Sequence, residues 1–139
     1  MGWGMDDLTM RGGTVIAANT TTGILALLEP DDSVRDALLT LLHGQGWVVE
    51  VATDAKELGK LLQAWDVTAV ISEASMPGAA ASEILGVCSA RHVPVIFTGH
   101  DQRVQAAVDL VRQGADDYLD KPFSHQRLLD LLNRLTRAH

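Results

Sequence analysis

A short apolar run that ends abruptly in acidic residues lies near the start of the chain: Ile24-Leu25-Ala26-Leu27-Leu28-Glu29-Pro30-Asp31-Asp32. The apolar part is typical of a strand buried on both faces, and the acidic part indicates the loop that follows it. Upstream, residues 1–22 are rich in Gly and Thr and show no sustained period. We therefore predict a flexible N-terminal tail over residues 1–22 and one folded domain over residues 23–139.

A strand followed by a helix recurs along the rest of the chain. We predict further short strands at residues 47–52, 67–72, 94–98 and 117–119. Asp32 or Ser33 is expected to cap the first helix, and Thr53 or Asp54 the second. The apolar residues assigned to the helix faces include Val34, Leu38, Leu42, Leu58, Leu62, Trp65, Val104, Ala107, Val108, Val111, Leu128 and Leu132. This alternation predicts an α/β fold with a parallel sheet covered by helices on both faces.

The overall composition excludes several classes of function. The chain carries 11 Lys plus Arg against 18 Asp plus Glu, a formal net charge of −7, so no direct nucleic-acid binding is expected. No apolar stretch approaches the roughly 20 residues that span a bilayer, and a single cysteine excludes an internal disulfide. We therefore expect a cytoplasmic protein with no membrane partner.

Polar side chains follow several of the predicted strands at the point where each strand ends. They are Glu29, Asp31 and Asp32 after the first strand, Glu73 after the third, Thr98 after the fourth and Lys121 after the fifth. Ligands of open parallel sheets bind at this edge, so we expect these side chains to converge there. The carboxylates could hold a hard cation such as Mg²⁺, and Thr98 with Lys121 could hold an anionic group.

Four segments of the chain carry a more specific pattern. They are Glu-Pro-Asp-Asp-Ser-Val-Arg at residues 29–35, Ser-Met-Pro-Gly at 75–78, Thr-Gly at 98–99 and Gly-Ala-Asp-Asp-Tyr-Leu-Asp-Lys-Pro-Phe at 114–123. Together they make residues 23–139 resemble the receiver domain of response regulators in two-component phosphorelay signalling. The resemblance implies a flavodoxin-like (βα)5 fold, doubly wound around a five-stranded parallel sheet with strand order 2-1-3-4-5.

The resemblance also implies roles for individual residues. Thr98 and Tyr118 would form the conformational switch, and Lys121 would precede a cis peptide bond to Pro122. The acidic metal pocket would comprise Glu29, Asp31, Asp32 and the backbone carbonyl of Ser75. The expected partners are a sensor kinase and an output protein or domain, bound through the face formed by the fourth helix, fifth strand and fifth helix. A homodimer formed through the same region is a further expectation.

Two positions depart from the family pattern. Glu73 stands where the family carries its phosphorylated aspartate, and Pro30 replaces the second member of the acidic pair. The extra methylene of Glu73 extends its carboxylate into the pocket, and the missing carboxylate predicts at most weak Mg²⁺ affinity. We therefore predict a degenerate, phosphorylation-independent receiver that acts by protein interaction. In this hypothesis Glu73 pairs with Lys121 and biases the switch of Thr98 and Tyr118 toward an activated-like arrangement.

Other functions remain open at this point. A conventional Mg²⁺-dependent receiver could be phosphorylated on Asp31, Asp32 or Glu73. A flavin-binding module of the same topology would need a hydroxyl- and glycine-rich loop where residues 29–32 are acidic. A hydrolase with an aspartate nucleophile would need an Asp-x-Asp pattern there, so we expect no enzymatic activity.

Several residues outside the predicted site are expected to serve in packing or to face solvent. Cys88, Trp47 and Trp65 are expected to fill the core. His100 follows the Thr98-Gly99 pair and is expected to be a solvated loop residue, with access to the pocket as its alternative role.

Overall fold

Strands and helices alternate throughout the part of the chain that the computed structural model describes, residues 22–100 and 104–138. In chain order they are β1 (Gly23–Leu28), α1 (Asp32–Gly44), β2 (Trp47–Val51), α2 (Ala55–Ala64), β3 (Ala69–Glu73), α3 (Ala81–Ala90), β4 (Val95–Gly99), α4 (Val104–Arg112), β5 (Asp117–Asp120) and α5 (His125–Ala138). The predicted strands are all present, and their ends differ from the predicted ones by at most two residues. The predicted N-terminal tail lies outside the described residues, except for Thr22.

The strands form one parallel sheet in the order β2-β1-β3-β4-β5. This is the predicted flavodoxin-like order 2-1-3-4-5, with its switch point between β1 and β3. The register pairs Leu28 of β1 with Ser72 of β3, and Glu73 of β3 with Thr98 of β4. The carboxyl ends of the central strands therefore lie side by side, as a site at the switch point requires.

Helices cover both faces of the sheet, and alternate strand residues point into two separate apolar cores. Helices α1 and α5 enclose a core that contains Leu25, Leu27, Leu42, Ile71, Ile96, Leu128 and Leu132. Helices α2, α3 and α4 enclose a core that contains Leu28, Leu58, Val70, Ile84, Cys88 and Phe97. Cys88 and Trp47 are buried, as predicted. The central strands are thus apolar on both faces, which leaves only their ends for polar chemistry.

Helix α1 is capped by Asp31 and not by the predicted Asp32 or Ser33. The Asp31 side chain accepts a hydrogen bond of 3.0 Å from the backbone N–H of Val34, and its own backbone is extended. A cap must lie outside the helix and reach an N–H three residues later, which places it one position earlier than predicted. Helix α2 begins after Asp54, one of its two predicted caps, which accepts from Glu57 N at 2.8 Å.

Two apolar residues predicted to be buried are exposed instead. Trp65 is 51% exposed because α2 has already ended at Ala64 and the chain is extended at this position. Val111 is 46% exposed, whereas Ala107 and Leu110 of the same helix pack against the core. Leu110 therefore lies on the buried side of α4 where Val111 was predicted, while Ala107 packs as predicted. No helix among the described residues is long and apolar enough to span a membrane.

We expect Leu128→Ala to lower the free energy of unfolding by about 2–5 kcal/mol, because Leu128 is fully buried and truncation leaves a cavity. Val111→Ala serves as the control and should change it by less than about 0.5 kcal/mol, since Val111 is half exposed. Urea titration followed by circular dichroism measures both values. Equal losses for the two variants would contradict the placement of α5 on the sheet.

Candidate functional site

Polar residues are buried at the carboxyl edge of the sheet, where they would be costly without partners. Glu29 follows β1 directly and is 4% exposed, Glu73 ends β3 and is 7% exposed, and Thr98 of β4 is 2% exposed. Lys121 follows β5, and its backbone N–H donates to Gly99 O at 2.8 Å. An ionised group removed from water requires an opposite charge and hydrogen bonds, so this edge must balance its own charges.

Lys121 supplies that balance by binding both glutamates. Its Nζ lies 2.5 Å from Glu29 Oε1 and 2.9 Å from Glu73 Oε1, and all three side chains are less than 10% exposed. We name these three residues the Glu–Lys–Glu cluster. The pairing of Glu73 with Lys121 was predicted, whereas the bond between Glu29 and Lys121 was not. The predicted cis peptide bond between Lys121 and Pro122 is also present.

The remaining oxygen of each carboxylate accepts a backbone hydrogen bond from two residues further along. Asp31 N donates to Glu29 Oε2 at 3.0 Å, and Ser75 N donates to Glu73 Oε2 at 3.1 Å. Each glutamate therefore accepts one hydrogen bond from the Lys121 ammonium group and one from a backbone amide. Charge-assisted bonds of this kind are among the stronger hydrogen bonds in proteins. All four oxygens of the cluster are engaged by the chain itself.

The pKa of Lys121 reflects this environment. Burial by itself lowers the pKa, but hydrogen bonds and charge from Glu29 and Glu73 outweigh that effect and raise it above the ordinary value of 10.5. The lysine is therefore protonated throughout the neutral range.

The acidic pocket predicted from the sequence is divided in the structure. Asp31 caps α1, while the exposed Asp32 pairs with Arg35 at 2.5 Å. Arg35 also donates to the carbonyl oxygen of Glu29 at 3.0 Å. Neither aspartate joins the Glu–Lys–Glu cluster, because each is held by a contact within the first turn of α1. The position of Pro30 between Glu29 and Asp31 keeps the acids in separate groups.

The donor set at this edge is a poor match for a Mg²⁺ ion in this arrangement. The oxygens of Glu29 and Glu73 already accept hydrogen bonds from Lys121 and backbone amides, so a Mg²⁺ ion would have to share them with an ammonium group that repels it. Among the described residues, no group of three or more His, Cys, Asp or Glu could hold a metal ion. The predicted role of the Ser75 carbonyl as a ligand stays a prediction, and the structure assigns the N–H of Ser75 to Glu73.

The predicted switch residues lie beside the cluster. Thr98 is the cross-strand partner of Glu73, and Tyr118 of β5 is buried with only 8% of its surface exposed. The Tyr118 hydroxyl lies against Gly99, and Glu73 Oε2 borders the same side of that residue. Sequence reasoning assigned Gly99 only to a pair of small residues and missed this packing. A glycine at the end of a strand is the signal that could have pointed to it.

Two cavities flank the cluster. One, of about 320 Å³, is lined by Glu29, Pro30, Arg35, Thr53, Met76 and Pro77. The other, of about 350 Å³, is an apolar groove lined by Val34, Leu38, His100, Pro122, Phe123 and His125. His100 is exposed and stands in this groove's wall, so both of its predicted roles remain compatible with its position.

The fold and the buried acidic edge agree with the outcome of sequence comparison. The chain belongs to the response regulator receiver domain family, whose model matches residues 25–133. It is 33% identical over 121 residues to the transcriptional regulatory protein FixJ of Bradyrhizobium diazoefficiens, which covers 85% of this chain and 58% of FixJ. It is 39% identical over 113 residues to the response regulator protein FleR of Pseudomonas aeruginosa, which covers 78% of this chain and 23% of FleR.

Solved structures give the same result. Full-length FixJ from B. japonicum superposes with a TM-score of 0.76 at 30% identity, covering 85% of this chain and 59% of FixJ. The receiver domain of the Francisella response regulator 1452 superposes with a TM-score of 0.75 at 23% identity, covering 85% of this chain and 100% of that domain, and supports the fold alone. The chain spans 58% of the FixJ relative and 23% of FleR, and what it shares with them is a receiver domain of two-component signalling.

We expect Lys121→Met to lower the free energy of unfolding at pH 8 by about 3–5 kcal/mol, because it leaves two buried carboxylates without their counter-ion. The folded-state pKa of Lys121 is raised above 10.5, so the lysine's contribution is complete below that pH and is lost as the pH rises through the folded-state pKa. The difference between wild type and variant should therefore shrink toward pH 12.

Urea unfolding at several pH values measures this difference. The control is Lys60→Met at an exposed position, which should differ from wild type by less than about 0.5 kcal/mol at pH 8. A constant gap between wild type and Lys121→Met across the alkaline range would show that the lysine is not the stabilising charge.

Proposed function

We propose that this receiver domain works without phosphorylation of its own, and that the Glu–Lys–Glu cluster occupies the place of the phosphorylation site. The observation that carries the proposal is the contact of Lys121 Nζ with both Glu29 and Glu73, at 2.5 and 2.9 Å. In this proposal the domain is a cytoplasmic, non-enzymatic signalling module that acts by binding other proteins.

The occupied oxygens of Glu73 argue against phosphoryl transfer to this residue. Glu73 Oε1 is bound to Lys121 and Oε2 to the N–H of Ser75, and the side chain is only 8% exposed. Attack on phosphorus by either oxygen would draw electron density away from these charge-assisted bonds, so the contacts that stabilise the buried carboxylate also lower its nucleophilicity.

The position of the Glu73 carboxylate supports a role as a built-in substitute for a phosphorylated aspartate. The Glu73 side chain is longer by one methylene than that of aspartate. Its carboxylate contacts Lys121, the lysine that the family directs at the phosphoryl group. Its register partner is Thr98, the predicted switch hydroxyl. The substitution supplies about one negative charge where a phosphoryl group supplies nearly two. Glu73 therefore supplies part of the charge of a phosphorylated aspartate and places it in contact with Lys121.

We expect the wild-type chain to gain no phosphoryl group when it is incubated with Mg²⁺ and a small acyl phosphate. The double variant Glu73→Asp with Pro30→Asp should gain one, because it restores a short acceptor and a second carboxylate for the metal. Intact mass spectrometry reads the adduct on both chains. The double variant with Glu73→Ala in place of Glu73→Asp is the control for modification elsewhere.

An adduct on the wild-type chain would overturn the proposal. Peptide mapping would then separate a conventional receiver modified on Glu73 from one modified on Asp31 or Asp32. The two aspartates face solvent at the start of α1, away from Lys121, and this placement favours neither of them as acceptor.

We further propose that the domain docks its partner through the face formed by α4, β5 and α5, and that a second copy of this chain can occupy that face. Val111 of α4 is 46% exposed, and an exposed branched apolar residue next to half-buried Val108 is a contact suited to an interface. A sensor kinase or an output domain would use the same surface in this proposal.

We expect Val111→Asp to weaken self-association about tenfold or more, because it places a charge in the proposed interface. The matched control is Val48→Asp on edge strand β2, where the native valine is 43% exposed and lies outside the proposed face. Light scattering across a concentration series measures both. Equal behaviour of the two variants, or a wild-type chain that stays monomeric at high concentration, would count against the homodimer.

A further inference from the structure

Gly99 lies where the Glu–Lys–Glu cluster and Tyr118 meet. A methyl group placed on its Cα would fall well under 3.0 Å from the Tyr118 hydroxyl, and 3.3 Å from both Glu73 Oε2 and the Tyr118 ring carbon that bears the hydroxyl. The space that a side chain would fill at position 99 is therefore taken by Tyr118, with the Glu73 carboxylate at its border. Both groups are buried.

The backbone does not explain this glycine. Gly99 is the last residue of β4, and its φ lies outside the positive range in which glycine is favoured. It pairs with Asp120 in an ordinary parallel register. Glycine weakens a strand because it loses the most conformational freedom on folding and offers no side chain to pack. Alanine would fit the backbone, so the constraint on this position is the space beside its Cα.

We propose that Gly99 is the positioning residue that admits the Tyr118 hydroxyl to the edge of the phosphorylation-site cluster, and thereby couples Glu73 to strand β5. The absent side chain gives Tyr118 a place to lie inside the domain, in a space that Glu73 Oε2 borders. Any side chain at this position would exclude the hydroxyl and turn Tyr118 outward. The packing of Tyr118 against Gly99 does not depend on the proposed function. Only its role in signalling rests on that proposal.

Tyr118 is the only tyrosine of the chain, so 3-fluorotyrosine gives a single fluorine resonance that reports its position. We expect Gly99→Ala to move this resonance toward that of the unfolded chain and to increase its broadening by a soluble paramagnetic agent. Gly86→Ala is the matched control, because a methyl group there meets nothing within 4 Å. The control should leave both properties of the resonance unchanged.

A double-mutant cycle tests whether the hydroxyl is the group excluded. Gly99→Ala should lower the Tm by about 5 °C in the wild-type background. In a Tyr118→Phe background the oxygen is gone and the nearest remaining atoms lie 3.3 Å away, so the loss should fall to less than half. If Gly99→Ala alone does not fold, recovery of folding by the added Tyr118→Phe change supports the same conclusion.

Two results would overturn the inference. The first is a fluorine resonance in Gly99→Ala that matches the Gly86→Ala control in position and broadening. The second is a Tm loss, or a failure to fold, that is the same with and without the tyrosine hydroxyl. Neither depends on phosphorylation, so an acyl-phosphate adduct on the wild-type chain would defeat the proposed function and leave this result intact.

Discussion

One buried ammonium group holds the functional edge of this domain together. Lys121 bonds Glu29 at the end of β1 and Glu73 at the end of β3, and it belongs to the loop that leaves β5. Three segments far apart in sequence thus converge on one atom. Removing charges from water costs several kcal/mol per ion, and mutual attraction with additional hydrogen bonds offsets this only when the geometry is good. The amides of Asp31 and Ser75 provide those additional bonds.

The two departures from the family pattern make physical sense together. Pro30 removes a carboxylate from the edge, which lowers the negative charge that an external cation would have to neutralise. Glu73 lengthens a second carboxylate so that it meets Lys121. The cluster sets one ammonium group against two carboxyl groups, and an acidic residue at position 30 would add a third carboxyl group. Lys121 therefore supplies one positive charge to this edge from within the chain.

The fold could be predicted from the sequence because alternating short apolar strands and amphipathic helices allow few topologies, and residues 114–123 narrowed these to one family. The convergence of Glu29, Glu73, Thr98 and Lys121 followed from strand ends alone. The bond between Lys121 and Glu29 did not, because strand ends bring side chains to one edge without fixing which of them pair. The roles of Asp31 as a cap and Gly99 as a contact depend on side-chain positions that only the structure supplies.

The location of Gly99 gives the site a short physical route to the surface. Thr98 and Gly99 are consecutive residues of β4; the first pairs in register with Glu73, and the second lies under the Tyr118 hydroxyl. Tyr118 belongs to β5, which is itself part of the face formed by α4, β5 and α5. Under the proposed function, a change in the Glu73 carboxylate would reach that face through one packed side chain. Coupling between sites requires an element with two arrangements. The space beside the Gly99 Cα holds the Tyr118 hydroxyl in the arrangement seen here, and Glu73 Oε2 borders the same space.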